Sequence, residues 1–171
     1  MDVNKNSYTF LFATAMVVVV AASLSFVATN LKPFQETNLE QEKMQSILSS
    51  IQIPVERSEA SKAFKTYIKE AIVLQEGEAV EGQDAFAIDL AKEIRKPDEK
   101  RLSPLYIAEK DGEIYYIIPL QGNGLWGPIW GYVSLKEDIN TVYGATFDHK
   151  AETPGLGAEI NTPVFEDQFK G

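Results

Sequence analysis

Nineteen consecutive residues, Phe10 to Ala28, carry no charge, and only Thr14, Ser23 and Ser25 among them are polar. A helix of that length spans roughly 28 Å, close to the hydrocarbon thickness of a bilayer. Tyr8 before the run and Lys32 after it are residue types that settle at the two membrane interfaces. A cleaved signal peptide usually has a shorter apolar core, about 7–15 residues. The best small-residue cleavage site here is only Val27-Ala28-Thr29. The run therefore reads as a retained transmembrane anchor over residues 1–32.

Orientation rests on fewer residues. Lys5 and the α-amine stand before the run against Asp2, and Lys32 and Lys43 follow among Glu36, Glu40 and Glu42. The basic residues nearly balance. The short N-terminal tail is expected to stay inside, leaving the bulk of the chain on the periplasmic side of the inner membrane. The whole chain of 171 residues holds 16 basic and 25 acidic side chains, a formal charge of -9. Nucleic acid is excluded as a partner, because phosphate binding needs a basic stripe. Adhesion to anionic lipid through a basic face is excluded too, so the helix alone makes the attachment.

Cysteine is absent and His149 is the single histidine. Disulfides, cysteine nucleophiles, zinc–thiolate sites and ordinary iron–sulfur ligation are thereby excluded. One chain cannot build a bis-histidine haem. No G-x-x-x-x-G-K-[ST] loop and no G-x-G-x-x-G occurs. His149 with Glu152 is too little for zinc, and His149 reads as a surface residue at a strand end.

Residues 33–53 read as a helix continuing or restarting after Pro33, with Leu39, Met44, Ile47, Leu48 and Ile51 at helical spacing and Pro54 ending it. A second helix is expected from about Ser58, as its cap, to Lys69, with Phe64, Tyr67, Ile68 and Ala71 inward. Residues 33–70 are thus a helical juxtamembrane segment, either stalk or part of the domain. Strands then dominate 71–171. Ala71–Leu74 and Ala85–Leu90 are short candidates flanking the acidic loop EGEAVEGQD, and the charged 91–101 is a surface excursion. Asp111-Gly112 between LYIAEK and EIYYIIPL is a strong hairpin signal. GLWGPIWGYVSL and Thr141–Asp148 supply two more strands. Thr162-Pro163 opens a helix, with Glu166 three residues inside. The fold class is α+β: a transmembrane helix, then an antiparallel sheet with flanking helices. The chain stops at Gly171 with no closing element, so the domain is expected to be incomplete, truncated at its C-terminus.

Two Gly-rich stretches carry the chemistry. Glu152-Thr153-Pro154-Gly155-Leu156-Gly157 can bring backbone groups close to a flat ligand, although such a Pro-Gly loop is more often only a turn. Gly122 to Gly131 holds four glycines with Trp126 and Trp130. Composition favours core packing for these tryptophans, which share a face if the strand is unbroken. Pro128 between them suggests an edge or a bulge.

In this order, G-x-G-L-W-G-x-x-x-G-Y-V followed by H-x-x-E-T-P-G-L-G-A-E-I resembles the FMN-binding domain found in the C subunit of Na⁺-translocating NADH:quinone reductases. The G subunit of the related Rnf electron-transport complexes has the same domain. The Leu125-Trp126 pair and the long preceding segment look closer to the reductase than to the Rnf protein. The resemblance covers about Ile114 to Gly171. It implies a covalent FMN that relays single electrons while sodium is pumped, in a six-subunit NADH:ubiquinone oxidoreductase of the translocase class. It further implies the other subunits as partners and a flavin transferase that makes the bond. No complete active site is implied in this chain alone. Thr153, Leu156 and Gly157 are the first flavin-site candidates, with Gly155 and Glu152 beside them and Trp126 and Leu125 as a neighbouring wall. Thr153 would meet the polar edge of the ring and Leu156 its apolar face, and Gly157 would let backbone approach. Glu152 would tune the potential or cap the turn. The family attaches FMN to the threonine of an S/T-G-A-T motif, which is absent. Tyr143-Gly144-Ala145-Thr146 comes nearest but precedes the T-P-G-L-G loop, so the attachment threonine is expected beyond Gly171. A rival reading is a membrane-anchored extracytoplasmic interaction domain with no cofactor.

Overall fold

The structure, a computed structural model, describes residues 5–171. Asp2, counted above in the charge of the N-terminal tail, lies outside them. The chain divides into two units, Met1–Glu40 and Gln41–Gly171.

Helix α1 (Asn6–Ser50) runs straight through Pro33 rather than restarting after it. Pro33 removes one backbone donor, and the Thr37 hydroxyl bonds back to the Pro33 carbonyl at 3.0 Å. In the first unit the apolar side chains from Phe10 to Val27 are exposed. Ser23, Thr29 and Asn30 each bond the carbonyl four residues earlier at 2.8 Å. The Ser23 hydroxyl in the apolar run is thus already paired, as a hydrocarbon surround requires. α1 is long and apolar enough to cross a membrane.

The second unit is built on one antiparallel sheet, in the order β2-β1-β3-β4-β5-β6. Its strands are β1 (Ile68–Gln75), β2 (Glu78–Ala79), β3 (Ser103–Lys110), β4 (Glu113–Asn123), β5 (Pro128–Leu135) and β6 (Val142–His149). The Asp111-Gly112 hairpin forms as expected, with both residues at positive φ (55° and 82°) and Lys110 opposite Glu113. One sheet face carries Val73, Tyr106, Ala108, Tyr115, Ile117 and Tyr132, and Ile47 and Leu48 of α1, with Ile51 in the turn after it, enter the same core. Ile114, Ile118 and Leu120, at the alternate positions of β4, stay more than a third exposed.

The end of α1 is fixed by backbone as well as by apolar contact. The Ser134 hydroxyl on β5 reaches the Ser50 carbonyl at 2.6 Å, with the Gly144 carbonyl 3.1 Å away. A Cβ on Gly144 would collide with that same Ser50 carbonyl. Ile47 to Ile51, within the span that the sequence left between stalk and domain, thus pack against the sheet.

Several local expectations change. Helix α2 (Arg57–Tyr67) has Glu56, not Ser58, at its cap position and gives way to β1 at Ile68, because β-branched Ile68, Ile72 and Val73 pair with β3. Ala85–Leu90 is no strand. Ala85–Ala87 is a 3₁₀ turn, with the Phe86 N–H donating to Asp84 Oδ1 at 2.9 Å, and α3 (Leu90–Glu93) follows. Within the charged excursion Glu93 is buried, holding Lys96 Nζ at 2.7 Å and accepting from the Leu102 N–H at 3.0 Å. The acidic loop contains β2, turned back by Glu76 and Gly77 at positive φ. Trp126 lies in the turn before β5, so Trp126 and Trp130 do not share a strand face.

Helix α4 (Pro163–Glu166) opens after Thr162 as expected and ends on Glu166. Its Oε1 accepts from the Phe147 N–H at 2.8 Å, satisfying a donor on the sheet's edge strand. Burial holds the Glu166 carboxyl above its ordinary range, and the Phe147 N–H opposes that shift. Phe147, Phe165 and Phe169 cluster beside it, with centroids 5.1 to 5.8 Å apart.

Candidate functional site

β4 and β5 pair from Tyr116–Leu135 to Asn123–Pro128, and β5 pairs with β6 as far as Ile129–His149. The two Gly-rich stretches therefore leave the sheet at the same end. The turn Gly124–Gly127 closes with the Gly124 N–H donating to the Gly127 carbonyl at 2.7 Å. Past β6, the Lys150 N–H donates to the Pro128 carbonyl at 3.0 Å, which keeps the second stretch against the first.

Glu152 joins them. It is 9% exposed, and its Oε1 accepts from the Trp126 N–H at 2.9 Å. Its own N–H donates to His149 Nδ1 at 3.2 Å, so His149 closes the turn that aims Glu152 inward. Two glycines leave room for the carboxylate. A Cβ on Gly124 would strike Oε1, and one on Gly157 would stand 2.9 Å from Oε2. The space expected to admit a ligand at Gly157 is thus filled by Glu152 itself, because the loop folds back over its own carboxylate.

The rest of the loop is internally tied. The Thr153 carbonyl accepts from the Leu156 and Ala158 N–H groups at 3.1 and 3.2 Å. The Gly155 N–H donates to Glu159 Oε1 at 2.9 Å. Gly155 sits at φ 75° with open space where a Cβ would be, so its role is backbone conformation, not close packing. What remains outward is mostly apolar. Leu125 is 83% exposed, Leu156 75% and Trp126 66%, and Thr153 is exposed too. Composition alone puts Trp126 in the core; only Trp130 is partly buried, lining a separate cleft of about 180 Å³ with Lys43, Tyr106 and Tyr132.

The motif candidates Leu125, Trp126, Glu152, Thr153, Gly155, Leu156 and Gly157 thus fall on two adjoining loops. Sequence reasoning missed Gly124, and it set His149 aside as a surface residue. The spacing His149-x-x-Glu152 was the available signal, since it suits an imidazole accepting an N–H across one turn. Thr146 is buried in β6, and its hydroxyl donates to the Ser46 carbonyl at 3.1 Å.

Residues 124–171 match the family model of the FMN-binding domain. That defines the class: a domain whose relatives hold a flavin mononucleotide. Over 94% of its length the chain is 34% identical to the C subunit of the Na(+)-translocating NADH-quinone reductase of Neisseria meningitidis serogroup A, covering 71% of that protein. The crystal structure of the corresponding protein from Parabacteroides distasonis superposes with a TM-score of 0.76 at 48% identity, over 82% of this chain and 69% of that one. A second structure, of NqrC from Shewanella oneidensis, shares the fold at a TM-score of 0.64 and 20% identity, over 77% and 70% of the two chains. The chain belongs to the NqrC family, the C subunits of Na(+)-translocating NADH-quinone reductases.

Proposed function

We propose that this chain is the flavin-carrying subunit of a sodium-translocating NADH:ubiquinone reductase, held in the inner membrane by α1 with its sheet domain on the periplasmic side. One observation carries the reading. Two motif stretches separated by some twenty residues converge through Glu152, with the ledge residues Leu125, Trp126 and Leu156 exposed on the two loops.

The residues present fit a flavin. Bound FMN would supply one-electron chemistry, which the side chains of a chain without cysteine and with one histidine do not offer. Leu125, Trp126 and Leu156 offer apolar surface that excludes water from a flat ring. Thr153 presents a hydroxyl at the ledge. Gly155 and Gly157 shape the loop that carries Leu156, and Glu152 holds the two sides together. The proposed attachment is to a threonine outside residues 1–171, made by a flavin transferase acting on a motif that these residues lack. Thr146 is unsuited, being buried with its hydroxyl engaged. The other subunits of the complex are the electron partners.

Denaturing electrophoresis of the protein from its own membranes tests the cofactor. A band fluorescing as flavin is expected, with the added mass of one FMN on a threonine outside residues 1–171. A dark band from cells that make the transferase sinks the reading in favour of a cofactor-free interaction domain, and FMN on Thr146 overturns the assigned site. Protease added to intact spheroplasts should digest the domain; protection there, with digestion only in inverted vesicles, reverses the topology.

A further inference from the structure

The two loops have no need of each other for the sheet to form. β5 pairs with β4 and β6 through full ladders whether or not the turn at Gly124–Gly127 touches the loop after His149. Yet a carboxylate is drawn from one loop, buried, and given a backbone N–H of the other. A buried carboxylate is costly unless its oxygens are bonded. Gly124 and Gly157 clear the volume it occupies, one on each loop. His149 Nδ1 accepts the Glu152 N–H and so fixes the direction from which the side chain enters.

We infer that Glu152 is a positioning residue. It clamps Trp126 and Leu125 on the turn before β5 to Thr153 and Leu156 on the loop after β6, so that both walls of the flavin site hold one spacing. This rests on the flavin reading above. It differs from a role for Glu152 as a ring contact or as a simple turn cap. Oε1 faces the Trp126 amide, and the turn-closing bond is made by the backbone N–H instead.

The clamp explains why the walls can be so exposed and still form a defined surface. At the ledge Leu125, Trp126 and Leu156 are exposed, so beyond the Lys150–Pro128 bond at the strand ends the Glu152 carboxylate is what ties one loop to the other. Loops with few buried contacts open at low cost. A charge-assisted bond from the buried Glu152 carboxylate then adds to the Lys150–Pro128 bond in making them move together.

The test uses Glu152→Ala, Glu152→Gln and Gly124→Ala in the full membrane-anchored protein. Glutamine keeps an acceptor oxygen at the same reach. Gly124→Ala leaves Glu152 in place but puts a methyl where its Oε1 lies. Exchange of the Trp126 amide with solvent deuterium reports the clamp directly and needs no flavin. It should quicken roughly tenfold in Glu152→Ala and Gly124→Ala, as loss of one such bond implies, and return close to the wild-type rate in Glu152→Gln. Fluorescence anisotropy of the bound flavin reports the walls, and should fall in the first two variants and recover in the third. An unchanged Trp126 amide in both disrupting variants overturns the clamp. Faster exchange with flavin anisotropy unchanged overturns the positioning role while leaving the bond. Wild-type protein without flavin overturns the functional reading itself, a result the amide measurement on the same sample keeps separate from the clamp. If Glu152→Ala does not fold, Gly124→Ala and Glu152→Gln decide alone.

Discussion

Glycine makes room for oxygen at several places, and two of them, Gly144 and the pair Gly124 and Gly157, are otherwise opposites. At Gly144 the oxygen is the Ser50 carbonyl, a backbone atom at the end of α1, buried between helix and sheet. At Gly124 and Gly157 it is the Glu152 carboxylate, the far end of a flexible side chain under an exposed ledge. A backbone atom in a packed core cannot move aside, whereas a side chain can rotate away. The first site holds the domain together. The second holds only two loops, which is the kind of place where a binding surface can be shaped without risk to the fold.

The largest effect is therefore expected at the core. Gly144→Ala should cost about 3 kcal/mol, the upper part of the range for overpacking, because neither β6 nor the end of α1 can yield. Leu48→Ala removes a fully buried side chain from the same contact and should cost about 2–5 kcal/mol. Chemical unfolding of the domain in detergent measures both. If Gly144→Ala costs no more than Gly157→Ala, the distinction between a rigid and a yielding obstacle is wrong.

The ledge should behave the other way. Trp126→Ala and Leu156→Ala remove exposed side chains, so stability should stay within about 0.5 kcal/mol of wild type. Flavin order, read by anisotropy of the native protein, should nevertheless fall. A destabilisation as large as that of Leu48→Ala would show that these residues are structural.

This contrast also governs what the sequence made legible. An uncharged run and then helical spacing gave α1, a turn dipeptide gave the Asp111-Gly112 hairpin, and short apolar runs gave the strands β3 to β6. The same kind of run misread Ala85–Leu90, where Asp84 turns the chain by a local side-chain bond that no hydrophobic pattern records. Composition placed Trp126 with the core because large apolar residues are usually there, whereas the ledge keeps it outside. The site loops were visible only as motifs. The motif names Gly157 but does not say that the neighbour filling its space is the Glu152 side chain, because a glycine pattern describes backbone. One imidazole suggests little chemistry, which hides His149 from a reading by residue type, although accepting an N–H needs only one.

The far end of the β5–β6 hairpin offers a smaller test. Ile139 sits at φ 53°, a left-handed conformation that a β-branched residue rarely adopts, and it is largely exposed. Ile139→Gly should relieve strain and stabilise the domain by about 1 kcal/mol, since little burial is lost. A loss of stability would mean that the exposed isoleucine makes a contact worth more than the strain.

The smallest effect is electrostatic and sits in that same turn. Asp138 accepts from the N–H groups of Asn140 and Thr141, at 3.0 and 2.9 Å, and from the Thr141 hydroxyl. The hydroxyl first, then the two amides, hold its carboxyl down to about 2 from an ordinary 3.8. A pKa lowered by folding means that the folded chain binds fewer protons than the unfolded one between those values. The contribution to stability is then complete above about pH 4 and lost as pH falls toward 2. Full solvent exposure keeps it slight. Carbon-detected titration of the Asp138 carboxyl should show a midpoint near 2, rising toward 3.8 in Thr141→Val. The Trp126 amide, at the other end of the hairpin, should not change its exchange rate in that variant when the two are compared at neutral pH. An Asp138 midpoint at the ordinary value would remove the turn's hydrogen bonds from the account. A Trp126 amide that responds to Thr141→Val would show that the two ends of the hairpin are coupled, and that the ledge does not depend on Glu152 alone.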